Sequence, residues 1–205
     1  RREVFFRYEN ELFPDIIQNT LGPHVEAGKA ELVSVSHQLM MNLSALTAGV
    51  DRPQGTPEES FRLYDYLMTF IEGATLVHYT GDKQAKEAEI ERSLAAFDEH
   101  FLSPGIARRA GLINDFKDGR IAEEDLPQDV LTVLLRNEDS LNLPHQVILR
   151  EIAFYLLAGA HTSATAFTRT MHHIFQWLEK NPDHQEKLMS PGFIQRCVHE
   201  TIRLQ

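Results

Sequence analysis

Two short runs in this 205-residue chain hold the residue types that can do chemistry. The first is Ala158-Gly159-Ala160-His161-Thr162-Ser163, where three small residues precede an imidazole and two hydroxyls. Glycine costs about 1 kcal/mol against alanine inside a helix, so its presence there needs a reason. Small side chains let a bulky, flat partner reach the backbone. Thr162 and Ser163 can return their hydroxyls to carbonyls four residues earlier, which loosens a helix locally. The expected result is a helix widened at one turn beside a ligand. Close packing of two helices, with Thr and Ser satisfied internally, is the competing reading. The second run is Glu200-Thr201-Ile202-Arg203, a Glu three residues before an Arg and so on one helix face. By itself it describes an ordinary surface pair.

The elements that must carry these runs are helical. Strand signals are nearly absent, with no sustained alternation of apolar and polar residues. Pro and Gly clusters at Leu21-Gly22-Pro23, Asp51–Gly55, Ser103-Pro104-Gly105 and Ser190-Pro191-Gly192 divide the chain into about eight helical segments. These are expected over 2–20, 26–48, 57–77, 83–102, 129–137, 145–181, 182–188 and 192–204. Thr56 is the expected cap of the third, with Pro57 in its first turn and Glu58-Glu59 complementing its dipole. Ile90, Leu94, Phe97 and Phe101 form the apolar side of the fourth, an amphipathic surface helix. The sixth meets no proline between Pro144 and Pro182, well beyond the usual 8–20 residues. From Ile152 to Phe167 it is apolar or small nearly all round, so burial on most sides is expected. A membrane span is disfavoured, because 17 residues separate Glu151 from Arg169 and polar His161 falls at their centre.

In this order the features resemble the cytochrome P-450 family of haem-thiolate monooxygenases. Ala158–Ser163 is similar to the family's oxygen-binding motif on its long central helix. Asn181–Leu188 looks like the start of the next helix, and Glu200 and Arg203 match the Glu-x-x-Arg after it. Arg1–Phe13 resembles the end of a helix bordering the haem. The helices near 57–77 and 83–102 resemble the pair roofing the substrate pocket. The resemblance implies an all-α chain, the helical portion of the P-450 fold with a long buried central helix. Residues 1–205 would then be one internal fragment of a larger domain, running from near the haem-bordering helix to the Glu-x-x-Arg helix.

The activity implied is haem-dependent oxidation of a mostly apolar organic substrate by dioxygen, with electrons from a separate redox partner. It belongs to the full-length parent, and this chain alone is expected to be inactive. Thr162 would hydrogen-bond dioxygen or the water beside it. Ala158 and Gly159 would admit the haem, and Arg1 would serve a haem propionate unless Arg1-Arg2 is plain surface charge. Phe154 and Leu157 would face the substrate space. Phe61, Tyr64, Met68 and Ile71 have helical spacing on the roof helix, with ordinary core packing as the alternative. Glu200 and Arg203 would be structural.

Two departures from the family pattern matter. An acid usually precedes the Thr, and here His161 stands in its place. An imidazole both donates and accepts near neutrality, so His161 is expected to relay protons with Ser163 in support. A weakened relay with greater reliance on peroxide is the alternative. The Gly- and Phe-containing loop that carries the haem-ligating Cys is not in the chain. Cys197, the single cysteine, lacks that context and reads as a buried structural thiol.

Composition narrows the remainder. Against 30 Asp and Glu there are 20 Lys and Arg, a net charge of −10, which disfavours broad nucleic-acid binding. No pair among the 10 histidines is spaced for a shared metal on one helix. No phosphate-binding glycine loop or nucleophile elbow is present. Resemblance to bacterial members implies a cytoplasmic protein. The reading from another class is an all-α scaffold or interaction domain without a cofactor.

Overall fold

Side-chain caps start four of the helices. In the computed structural model, which describes residues 2–204, Glu31 accepts from Val33 N and Ser34 N at 3.2 and 2.6 Å and opens α3, Leu32–Ala48. Thr56 accepts from Glu59 N at 3.3 Å and opens α4, Pro57–Ala74, as its sequence indicated. Glu59 itself is buried, because its carboxylate takes the backbone N–H groups of Gln54 and Gly55. Asp82 caps α5, Lys83–Phe97, and Asp129 caps α7, Val130–Arg136. Each such cap is worth about 1 kcal/mol.

The chain begins with α1, Arg2–Arg7, a π turn over Tyr8–Leu12, and α2, Phe13–Glu26. The break expected at Leu21-Gly22-Pro23 is absent, since Pro23 sits in the last turn of α2, where little of the hydrogen-bond ladder remains to disrupt. The helix expected from Glu26 starts only at Leu32, after the left-handed Gly28. A second correction lies at Ser103-Pro104-Gly105. Pro104 stands at the start of α6, Ser103–Lys117, directly after a π turn, and does not interrupt the helical run. A π turn over Asp98–Leu102 joins α5 directly to α6, a helix that sequence reading did not assign. After α7 come α8, Glu138–Leu141, and α9, His145–Leu156. A third π turn, Leu157–His161, leads into α10, Thr162–Lys180. The segment Pro182–Met189 is 3₁₀ in character, and α11, Pro191–Arg203, closes the order. No strand occurs among the described residues, so the fold is all-α. No helix among them is long and apolar enough to cross a membrane.

The core is built by α3, α4, the α5–α6 junction, α7 and α9. Met41, Ala45, Leu63, Leu67, Phe97, Leu102, Leu131, Ile152 and Leu156 are all essentially inaccessible there. Phe97 meets Phe70 edge-on at 5.5 Å, and Tyr66 meets Phe97 and Phe101 in the same way. The junction also makes two polar ties. Asp98 pairs with His145 Nε2 at 2.6 Å, and Tyr66 lies 3.0 Å from His100 Nδ1.

One guanidinium is completely enclosed. Arg109 of α6 is 2% exposed and donates from Nε and Nη2 to Asp129, from Nη1 and Nη2 to Asp51, and from Nη1 to the Gly105 carbonyl. Arg108 clasps the same Asp51 at 2.7 Å through two nitrogens. Burial pushes the Asp51 carboxyl up, but the Arg108 and Arg109 hydrogen bonds outweigh it and hold it below the usual carboxylate range. Gly49, with φ of 89°, ends α3 against this cluster, and a Cβ there would fall 2.5 Å from an Asp129 oxygen.

Removing one partner from such a cluster leaves buried charge unpaired. Arg109→Ala is expected to cost about 3–5 kcal/mol in denaturant unfolding. A cost below about 1 kcal/mol would show that the cluster relaxes into water.

Candidate functional site

The long helix is central but not uniformly buried. Ile148, Leu149, Ile152, Ala153, Leu156, Ala160 and Ala164 face the core, while Phe154, Ala158, Thr162 and Ser163 are exposed. Burial on most sides, expected from the apolar composition, therefore holds for one stripe. The other stripe is largely accessible, with Phe154 64% exposed.

The helix is widened at Leu157–His161, where small residues and hydroxyls made widening the expectation. Thr162 Oγ1 donates to the Ala158 carbonyl at 2.6 Å, so the hydroxyl follows the widened turn backwards. Thr165 and Thr168 repeat this bond to the carbonyls of His161 and Ala164 at 3.0 and 2.9 Å. Ala158 and Thr162, four residues apart, share the exposed side of the turn. Ser163 is also exposed.

Gly159 serves a different purpose from the expected one. A Cβ on it would lie 2.9 Å from Ser44 Oγ, so its open side is occupied by α3. The glycine lets α3 and the long helix approach closely, which was the competing reading of this segment. Of the two small residues assigned to a cofactor face, Ala158 alone is turned outward. Arg1 lies outside the described residues.

His161 is half-buried and turns toward α3, where its ring lies parallel to that of His37 with centroids 5.9 Å apart. Its Nδ1 is fully buried and has no hydrogen-bond partner. His37 in turn packs on Tyr64 of α4 at 4.7 Å. His37 thus links the turn to Tyr64; sequence reasoning singled out Tyr64 and missed His37. No local spacing could have found it, since His37 and His161 are brought together by the α3 crossing alone. Burial pushes the His37 imidazole below its ordinary value, His161 adds to that, and Glu31 opposes it.

Phe154 and Leu157 reach an apolar cleft of about 510 Å³ between α4, α5 and α9, a size suited to a small organic molecule. Phe70, Gly73, Ile90 and Leu94 supply its other walls, and Glu87, Glu91 and Arg150 also line it. Phe61, Tyr64 and Met68 do not line this cleft. The buried face of α4 is Leu63, Leu67 and Phe70, which turns Phe61 and Met68 toward solvent and Tyr64 toward His37.

Glu200 and Arg203 form a two-point pair, Nη2–Oε1 at 2.6 Å and Nε–Oε2 at 2.8 Å. The Arg203 hydrogen bonds hold Glu200 below the usual carboxylate range, and the same bonds raise Arg203. Both side chains are more than half exposed, so the pair adds little to stability. The helix beneath them is fixed by buried Thr201, 3.0 Å from His173 Nδ1, and by Trp177 packed on Phe193 at 5.1 Å. Cys197 is half-buried rather than buried, and burial raises its thiol. Among the described residues no three His, Cys, Asp or Glu side chains come together as a metal site.

Comparison with known proteins adds one informative likeness. Over 181 residues, 86% of its length, the chain is 24% identical to ganoderic acid synthetase CYP5150L8 of Ganoderma lucidum, whose designation is that of a cytochrome P-450. The chain spans 29% of that protein's length. No protein-family model matches the chain, and no solved structure matches it significantly.

The depressed His37 value has a direct consequence for stability. The unfolded chain, with an ordinary imidazole pKa of about 6.5, binds this proton more readily than the folded one. Folding is therefore favoured above that value and weakened as pH falls through it. Denaturant unfolding between about pH 7.5 and 5.5 should show stability falling, and falling less steeply in His37→Phe. Equal slopes in the two proteins would contradict the assignment.

Proposed function

We propose that this chain is an internal portion of a haem-dependent monooxygenase of the cytochrome P-450 type, acting on a mostly apolar organic substrate. The observation that carries the reading is the widened turn at Leu157–His161, with Thr162 bonded back to Ala158. The motif order and the low-identity likeness to a P-450 support it independently.

The residues on the outward side of the turn suit one face of a flat macrocycle. Ala158 presents only a methyl group, and Thr162 places a hydroxyl beside it. Gly159 takes no part, because α3 fills its open side. Cys197 sits on α11 without the Gly- and Phe-containing context of the family's ligand, so the iron-ligating sulfur is not assigned to this chain. Haem, when bound, supplies the reduction of dioxygen, in which one oxygen atom enters the substrate and the other leaves as water. That stoichiometry takes two electrons, drawn from NAD(P)H through a separate redox partner, and two protons.

This chain's own residues would manage the protons and contact the substrate. Thr162 Oγ1, released from the Ala158 carbonyl, can donate to dioxygen or hold a water beside it. His161 lies in the widened turn itself, with an imidazole that can both donate and accept and a buried Nδ1 that has no hydrogen-bond partner. Ser163 is the nearest second hydroxyl. Phe154 and Leu157, with the walls of the adjacent cleft, present apolar surface that suits an apolar substrate.

The test is a reduced, carbon-monoxide difference spectrum of the full-length protein, where the Soret shift characteristic of thiolate-ligated haem is expected. Its absence would overturn the reading. Thr162→Val should then lower product formed per NAD(P)H consumed about tenfold or more, in the range of lost proton-transfer assistance. Unchanged coupling would remove Thr162 from the chemistry.

A further inference from the structure

We propose that the apolar cleft takes a substrate bearing one uncharged hydroxyl, held between Arg150 and Glu91 at the end of the cleft away from the widened turn, so that oxygen enters the opposite end of the molecule. This deepens the monooxygenase reading and rests on it only for where the oxygen enters.

The polarity of the cleft is uneven along the long helix. Arg150, Ala153, Phe154 and Leu157 line it from that helix, at spacings that put them on one face. From Arg150 to Leu157, which opens the widened turn, the helix advances about 10 Å. Ala153 and Phe154 make that interval apolar, and Phe70 of α4 with Ile90 and Leu94 of α5 continue the apolar wall opposite. Glu91 belongs with Arg150. Together with Leu94, the two also border an outer cleft of about 700 Å³ that carries Asp98, Glu99 and Gln146. The polar end of the cleft therefore lies away from the turn and opens onto polar surface.

Glu91 and Arg150 are both exposed, and no ion pair joins them. Among the described residues neither pairs with any other charge. A hydroxyl serves both at once, accepting from the guanidinium and donating to the carboxylate. An ionic head group serves one and confronts the other. A carboxylate is drawn to Arg150 but meets Glu91, with Glu87 one turn earlier on α5 in the same cleft. An ammonium is drawn to the two glutamates but brings a second cation up to Arg150. With the hydroxyl anchored there, the apolar end of the molecule reaches Leu157 and the turn. One oxygen atom of dioxygen then enters a C–H bond at that end. The other leaves as water, with two protons and two electrons drawn from NAD(P)H.

Titration calorimetry of the full-length protein with 1-decanol, decylammonium and decanoate tests the head group. Arg150→Leu and Glu91→Leu should each weaken 1-decanol about fivefold, the range of one lost hydrogen bond. Arg150→Leu should also tighten decylammonium, and Glu91→Leu should tighten decanoate. A cleft that takes up chains by apolar contact alone would bind 1-decanol equally well or better in both variants, and that result overturns the proposal. Tighter binding of either ion than of the alcohol by the parental protein overturns it as well. Both side chains are exposed, so both variants should keep the parental circular dichroism. In turnover, 1-decanol should be oxidised in the half of the chain far from its hydroxyl, with the positions spreading in Arg150→Leu. Oxidation mainly beside the hydroxyl overturns the orientation. If the full-length protein shows no thiolate-ligated haem, the monooxygenase reading fails while the calorimetry still decides the hydroxyl site.

Discussion

The widened turn at Leu157–His161 is the constraint on which the rest of the arrangement hangs. A helix of 12 residues before it and 19 after it would, if regular, drift steadily relative to a straight partner. One extra residue in a turn rotates everything downstream by about 100° relative to an uninterrupted helix. That rotation keeps Ala160 and Ala164 beneath Leu156 on the core side. It also leaves Ala158 and Thr162 together on the other side. Core packing and the chemistry-bearing face are thus two outcomes of one local change in winding.

The change is held in place from α3. Ser44 fills the space that a side chain on Gly159 would need, and Thr168 Oγ1 lies 3.0 Å from Ser36 Oγ further along the same crossing. Small residues and hydroxyls line the contact from both helices, so the backbones approach closely without a thick apolar layer. The glycine's conformational cost is offset by this proximity. It follows that the motif resembling an oxygen-binding site is partly a packing motif, with alternate residues answering to different partners.

Much of this was legible in the sequence, and the failures have specific causes. The all-helical class, the Thr56 cap and the widened turn followed from local chemistry that tertiary contacts reinforced. The α6 helix did not, because Pro104 and Gly105 read as a break although a proline in a first turn begins a helix as readily as it ends one. Pro23 misled in the same direction. Phe61 and Met68 were placed at a substrate pocket by the resemblance of their helix to a roof helix, with core packing as the alternative, but the stripe centred on Leu63, Leu67 and Phe70 faces the core and turns them outward. His37 was invisible, since its significance arises from a crossing between segments more than a hundred residues apart. The orientation of Gly159 was open for the same reason.

The junction between α5 and α6 has a mechanical meaning. Its five residues hold α4 through His100 and Tyr66, and hold the first residue of the long helix through Asp98 and His145. Two elements that frame the apolar cleft are therefore bolted to one short bracket. Pushing α4 outward to widen the cleft pulls on the same bracket that anchors the far end of the long helix. A displacement of α4 and a displacement of the start of the long helix are therefore not independent of one another.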